Sequence, residues 1–210
     1  MIKLYHAPLT RSVRILWLLE ELGIPYEVED VEFEPTRDTF FQQKTPFGKL
    51  PTLEDDEVVI CESGAVLEYL IDRYGEGRFA PEPGSPERAA YLQWIHFAES
   101  TAFAPLGVLA WLGVYRGEGG RYTELLADAR SRALQALAFV DRALGERDYL
   151  VGDTFTGADV MMGFTLAAAR RLGVLDESLP RLGRYLDRLM ARPALKRALE
   201  RKPGEGSSRS

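Results

Sequence analysis

A single cysteine, Cys61, and two histidines, His6 and His96, are all that 210 residues offer as thiols and imidazoles. One thiol closes no internal disulfide, forms no CxxC redox pair and builds no multi-cysteine zinc site, so no metal is expected. Blocks of basic residues are missing, and 26 Lys and Arg stand against 32 Asp and Glu, a net charge of −6. That balance disfavours capture of nucleic acid or of an anionic membrane. Long apolar runs are missing as well. The longest uncharged stretch, 100–115, is broken by Pro105, Gly107 and Gly113 and is shorter than the roughly 18 residues a spanning helix needs. It is expected to be buried protein. The opening MIKLYHAPLTR loses its apolar character at His6, Pro8 and Arg11, so no export signal is expected and a cytoplasmic location is. What remains, with 46% apolar and 28% charged residues, is ordinary globular usage.

At about 150 residues per domain the length allows one to two domains. Residues 1–80 hold 8 basic and 16 acidic side chains, a balance of −8, while 81–210 hold 18 and 16, a balance of +2. The change of sign falls at Phe79-Ala-Pro-Glu-Pro-Gly-Ser-Pro86, whose prolines and glycine read as a linker over 79–86. The expected domains are therefore 1–78 and 87–202, and the Gly/Ser/Arg stretch 203–210 is expected to be a disordered tail. In the first domain, residues 2–6 read as a strand and 11–22 as a helix stopped by Gly23 and Pro25. Residues 26–33 read as a half-buried strand, and 51–53 with 57–61 as a hairpin around an acidic turn. Helix spacing returns at 63–74. The second domain is helical throughout, near 86–116, 121–144, 156–172, 179–191 and 193–201. Thr156 and Asp159 fit a capping box at the start of one of these helices.

An α/β domain in the order β-α-β-α-β-β-α followed by an all-α domain narrows the field, and five segments narrow it further. IKLYHAPLTRSVRILWLLEELGIPYE, TPFGKLPTLED, CESGAVLEYL, VGDTFTGADV and ARPALKRAL together resemble the cytosolic glutathione transferases over roughly residues 1–202. The resemblance implies a thioredoxin-like first domain with a mixed four-stranded sheet. It also implies glutathione as co-substrate, a small apolar electrophile as its partner, a homodimer, and a role in detoxification. Such an enzyme must turn the glutathione thiol into a thiolate, the only form that attacks an electrophile well. A free thiol with a pKa of about 8.5 is mostly protonated at neutral pH, and lowering that value by about 2 requires about 2.7 kcal/mol of thiolate stabilisation. One hydroxyl hydrogen bond to the anion, about 1.5–3 kcal/mol, and a helix N-terminus, about 0.3–1 kcal/mol, together suffice.

Two hydroxyls compete for that role. Thr10 directly precedes the first helix and stands where serine-type members carry serine; its plain alternative is a helix N-cap. Tyr5 stands where tyrosine-type members carry their sulfur donor, and its plain alternative is packing. Ser12 is a further hydroxyl, expected to bond locally or face solvent. His6, on the opposite face of its strand from Tyr5, is expected to be a packed histidine rather than a base. Gly48-Lys49-Leu50-Pro51-Thr52 resembles the family's cis-proline turn, implying that Leu50 pairs with the extended tripeptide. Glu62-Ser63 resembles the γ-glutamyl anchor, with Ser63 and helix amides for the carboxylate and Glu62 for the ammonium. Lys49 or Arg37 stands where members place a partner for the glycyl carboxylate. Cys61 is expected to be a small buried hydrophobe. The apolar stretch 103–115 suits an electrophile cleft between the domains, with Trp111 and Tyr115 as its candidates. Two alternatives share this site: peroxide reduction, isomerisation or dehalogenation with the same thiol, and a noncatalytic binding protein that retains the fold.

Overall fold

The computed structural model describes residues 1–32 and 48–204. Strand β1 (Ile2–His6) runs parallel to β2 (Glu27–Asp30), joined by helix α1 (Ser12–Leu22). A parallel pair needs such a crossover, because a tight turn can only reverse the chain. Ile15, Leu16, Leu18, Leu19 and Leu22 put the apolar face of α1 into the core. Gly23 ends the helix at φ +70°, where its amide closes on the Leu19 carbonyl, in a left-handed conformation that glycine enters without steric cost.

Strands β3 (Thr52–Asp55) and β4 (Val58–Cys61) form an antiparallel hairpin with β3 against β1, giving the sheet order β2-β1-β3-β4. Helix α2 (Ser63–Tyr74) follows. The mixed four-stranded sheet matches the sequence expectation; the helix expected between the second and third strands falls within 33–47, outside the described residues. Strand β2 is shorter than the 26–33 expected. Cys61 departs from expectation. Because β4 is an edge strand, Val58 and Val59 are exposed and Cys61 is only half-buried.

Two compact units divide the chain, Met1–Arg78 with the segment from Ala191, and Phe79–Met190. The last helix, α8 (Pro193–Glu200), thus belongs with the sheet and not with the helical domain over 87–202 to which periodicity assigned it. Three arginines account for this. Arg192 makes paired bonds to Glu21 at 2.6 and 2.9 Å, Arg197 bonds Glu20, and Arg201 makes paired 2.8 Å bonds to Asp30, which also accepts the Gly204 amide at 2.8 Å. Of the tail expected at 203–210, the part from 205 lies outside the described residues.

The second unit is helical. Helix α3 (Pro86–Phe97) starts with Pro86 in its first turn and the Ser85 hydroxyl accepting from the Arg88 amide, a pairing that supplies an acceptor where helix amides have none. It continues through π-helical turns at Ala98–Phe103, a short α4 (Ala104–Val108) and further π turns at Leu109–Tyr115. Pro105 cannot donate to the carbonyl four residues back, and the ladder widens on both sides of it. Helices α5 (Thr123–Leu144), α6 (Gly157–Arg171) and α7 (Pro180–Met190) complete the unit. The capping box forms as read. Asp159, fully buried, accepts from the Thr156 amide at 2.8 Å, the Leu150 amide at 2.9 Å and the Tyr185 hydroxyl at 2.6 Å.

Of the stretch 100–115 expected to be buried, only Ala102 and Leu106 are. None of the residues Leu109–Tyr115 is buried, and Pro86–Tyr115 is, by length and composition alone, long and apolar enough to cross a membrane, with 22% of its most apolar window buried. The uncharged run 100–115 is too short for that, but the helix extends it backward through Leu92, Trp94, Ile95 and Phe97.

Candidate functional site

The sheet register gathers the expected site segments at one end. Tyr5 pairs with Thr52, and Thr52 with Cys61. The C-terminal end of β1, the start of β3 and the C-terminal end of β4 therefore lie in one row. From that row leave the loop carrying Thr10, the Leu50-Pro51 turn and the Glu62-Ser63 corner. Helices α1 and α2 both begin there, so two sets of unpaired helix amides and two positive dipole ends face the same end of the sheet. Such an arrangement favours anions.

The loop after β1 is tightly tied. Leu9 takes φ +64° while 58% exposed, a left-handed position that costs a branched side chain about 1–3 kcal/mol. That bend turns Thr10 inward. Thr10 Oγ1 donates to the Ala7 carbonyl at 2.8 Å, lies 2.6 Å from Ser12 Oγ and accepts from the Ser12 amide at 3.3 Å. Ser12 Oγ lies 2.9 Å from His6 Nδ1. His6, Thr10 and Ser12 are all buried. Burial, with the Arg201 cation adding to it against Asp30, lowers the His6 pKa to about 4.

The second segment carries a cis peptide bond between Leu50 and Pro51, as the resemblance implied. Leu50 packs against Tyr5 and Val31, Pro51 is buried, and Lys49 is exposed. In the third segment, Glu62 is exposed and held at φ 69°, ψ 112°, and Ser63 opens α2 with its hydroxyl accepting from Arg14 Nη1 at 2.9 Å. Arg14 is fully buried. A guanidinium stays charged in proteins, so the start of α2 has a fixed cation beneath it in addition to its dipole. Because Ser63 accepts from Arg14, its own hydrogen remains available to a ligand.

Residues 1–72 match the family described as Glutathione S-transferase, N-terminal domain, and residues 123–188 match Glutathione S-transferase, C-terminal domain. Over 216 aligned residues the chain is 30% identical to Glutathione S-transferase 3 of Schizosaccharomyces pombe, covering 96% of this chain and 88% of that relative. The chain belongs to the glutathione S-transferase family. GstB of Escherichia coli strain K12 is 30% identical over 197 residues, with 90% of this chain and 93% of that relative covered. Among solved structures, a glutathione transferase family member from Pseudomonas fluorescens Pf-5, with two glutathione bound, superposes with a TM-score of 0.82 at 28% identity, covering 95% of this chain and 92% of that one. A glutathione S-transferase from Actinobacillus pleuropneumoniae gives 0.80 at 28% identity, covering 94% and 91%.

For a glutathione S-transferase family member, the competing hydroxyls have distinct surroundings. Tyr5 donates its hydroxyl hydrogen to Glu54 Oε1 at 2.7 Å, and burial followed by this bond raises its pKa. Thr10 lies two residues before α1, and Arg11 holds the N-cap position, so Thr10 is not the cap that its plain alternative named. Trp111 and Tyr115 lie in the second unit, 41% and 39% exposed. Arg37 lies outside the described residues. The sequence did not show how these polar side chains connect. Ser12 bonds locally, one of its two expected outcomes, and joins Thr10 to His6. His6 is packed as expected, but it is also bonded. Arg14 was not singled out from the sequence; the available signal was a charged residue four before Leu18, on the apolar face of α1. Among the described residues no group of three or more His, Cys, Asp or Glu is placed to hold a metal ion.

Proposed function

We propose that the protein is a glutathione transferase that binds the tripeptide at this sheet end and activates its thiol for attack on an apolar electrophile. The observation that carries the reading is the single row Tyr5, Thr52, Cys61, from which leave the three segments assigned to the sulfur, the cysteinyl backbone and the γ-glutamyl group. In this reading Leu50 offers its backbone to the cysteinyl unit. Ser63 and the first amides of α2 take the γ-glutamyl carboxylate, and Glu62 takes the ammonium. Lys49, or Arg37 as its alternative, is the partner of the glycyl carboxylate. Thr10 donates to the sulfur. The thiol proton passes to solvent and the sulfur lone pair forms the new C–S bond. The displaced electron pair leaves with the departing group or, in an addition, collects a proton from water. Trp111 and Tyr115 contact the electrophile, and the exposed apolar face around them suits a homodimer of a cytoplasmic detoxification enzyme.

One observation favours the noncatalytic alternative. The Thr10 hydrogen is already given to the Ala7 carbonyl, and serving a sulfur requires it to turn. The deciding experiment is a titration of the protein with glutathione, following thiolate absorbance against pH in wild type, Thr10→Ala, Thr10→Ser and Tyr5→Phe. The expected result is a bound-thiol pKa about 2 below the free value of about 8.5, kept in Thr10→Ser and Tyr5→Phe and lost in Thr10→Ala. Binding with an ordinary thiol pKa, or no binding, overturns the transferase reading.

A further inference from the structure

The hydroxyl at the head of α1 does not stand alone. Ser12 Oγ lies between Thr10 Oγ1 at 2.6 Å and His6 Nδ1 at 2.9 Å, and all three side chains are buried. Each hydroxyl has one hydrogen and more acceptors than it can serve. Thr10 reaches the Ala7 carbonyl at 2.8 Å; Ser12 reaches the same carbonyl at 3.3 Å while accepting from the Ala7 amide at 3.3 Å. Where each hydrogen points is therefore set by the one member with a choice of tautomer, His6.

We propose that His6 and Ser12 form a relay that turns the Thr10 hydroxyl hydrogen toward the glutathione sulfur, making both of them positioning residues for the thiolate. The proposal rests on the reading of Thr10 as sulfur donor. With hydrogen on Nδ1, His6 donates to Ser12 Oγ, Ser12 donates to Thr10 Oγ1, and the Thr10 hydrogen is released outward. With hydrogen on Nε2, Nδ1 draws the Ser12 hydrogen to itself, and Thr10 remains donor to the Ala7 carbonyl. A negative sulfur in front of Thr10 selects the first arrangement, in which every dipole points along the chain at the anion. The change of tautomer takes one proton off Nε2 and puts one on Nδ1 by exchange with solvent, so the two arrangements hold the same number of protons.

The surroundings of the ring keep it neutral and so able to choose. His6 bonds Ser12 from α1 and lies in the field of the Asp30 carboxylate from β2 and of Arg201 from the segment after α8; burial and Arg201 oppose a second proton, while Asp30 favours it and is itself engaged by Arg201 and the Gly204 amide. The imidazole therefore acts as an oriented dipole, not as the base that removes the thiol proton.

The test is the pH dependence of kcat/KM with 1-chloro-2,4-dinitrobenzene and of bound-glutathione absorbance, in Ser12→Ala, His6→Phe, His6→Asn and Thr10→Ala. The asparagine amide can stand in for Nδ1–H; phenylalanine fills the space without a polar atom. Expected is a rise of about 0.5–1 in the bound-thiol pKa for Ser12→Ala and His6→Phe, hence about a three- to tenfold loss of rate on the acid limb with the alkaline plateau kept. His6→Asn is expected to restore the wild-type profile. Unchanged thiol pKa values in Ser12→Ala and His6→Phe, with a raised value in Thr10→Ala, overturn the relay and leave the reading of Thr10 standing. A thiol pKa that does not move in Thr10→Ala overturns both. If His6→Phe does not fold, Ser12→Ala and His6→Asn decide by the same criterion.

Discussion

Buried polar side chains in the first unit work as acceptors and donors with few spare positions. His6 is the case with a consequence for stability. The unfolded chain takes up a proton on His6 at about 6.5, whereas the folded protein resists until about pH 4. The folded-state pKa is the lower one, so stability is full above about 6.5 and falls as acid protonates the unfolded chain preferentially, by up to about 3 kcal/mol at pH 4. Urea denaturation from neutral pH down to about pH 4 is expected to show this loss in wild type and a shallower one in His6→Asn. Parallel curves for the two proteins would place the acid sensitivity elsewhere. Nothing in the sequence signalled this bond. His6 and Ser12 are six apart, across a strand end, a left-handed leucine and a helix start, and no periodicity spans that path.

Elements were legible where a period or a stop signal ran long enough. Gly23 and Pro25 closed α1, the hairpin declared itself around Asp55 and Asp56, and the Thr156 and Asp159 box opened α6. The site segments were legible for a different reason: each carries its own short motif. What periodicity could not assign is the neighbour each helix chooses. Helix α8 has the same apolar spacing whether it packs among helices or on a sheet domain, and the choice lies in Arg192, Arg197 and Arg201 meeting acids far back in the chain. For the same reason the exposure of Leu109–Tyr115 was hidden, because apolar composition alone does not say which faces are covered. The Arg192 contact can be measured. Glu21, nearly buried, accepts from both Arg192 and the Trp17 ring nitrogen at 2.9 Å. Arg192→Ala strands most of that carboxylate and is expected to cost about 1–3 kcal/mol in urea melts, while Arg192→Met combined with Glu21→Leu recovers most of the loss. A double variant as weak as the sum of its singles would show that packing, not the ion pair, holds α8.

At the scale of the molecule, the segment from Ala191, with six basic and two acidic side chains, offsets half of the −8 of residues 1–78, so the sheet unit balances at −4 and the helical unit at −2. Glutathione is an anion, so the domain that is proposed to bind it repels it at long range, and exposed Lys49 opposes that field locally. Lys49→Ala is expected to weaken glutathione binding about two- to fivefold at low salt, and the gap is expected to close at about 0.5 M salt, where screening is nearly complete. Calorimetric titration at both ionic strengths reads the difference. A gap that does not depend on salt would assign Lys49 a packing role.

The pairing of α8 with α1 also sets an order of events at the ribosome. Glu21 and Arg192 are 171 positions apart, and Glu20 and Arg197 are 177 apart. All of Phe79–Met190 is synthesised between them. The helical unit is contiguous and can close as soon as it emerges, whereas the sheet unit, translated first, stays unclamped until its final helix is released. The portion made earliest is thus the portion finished last, with Glu20 and Glu21 without their arginine partners until then.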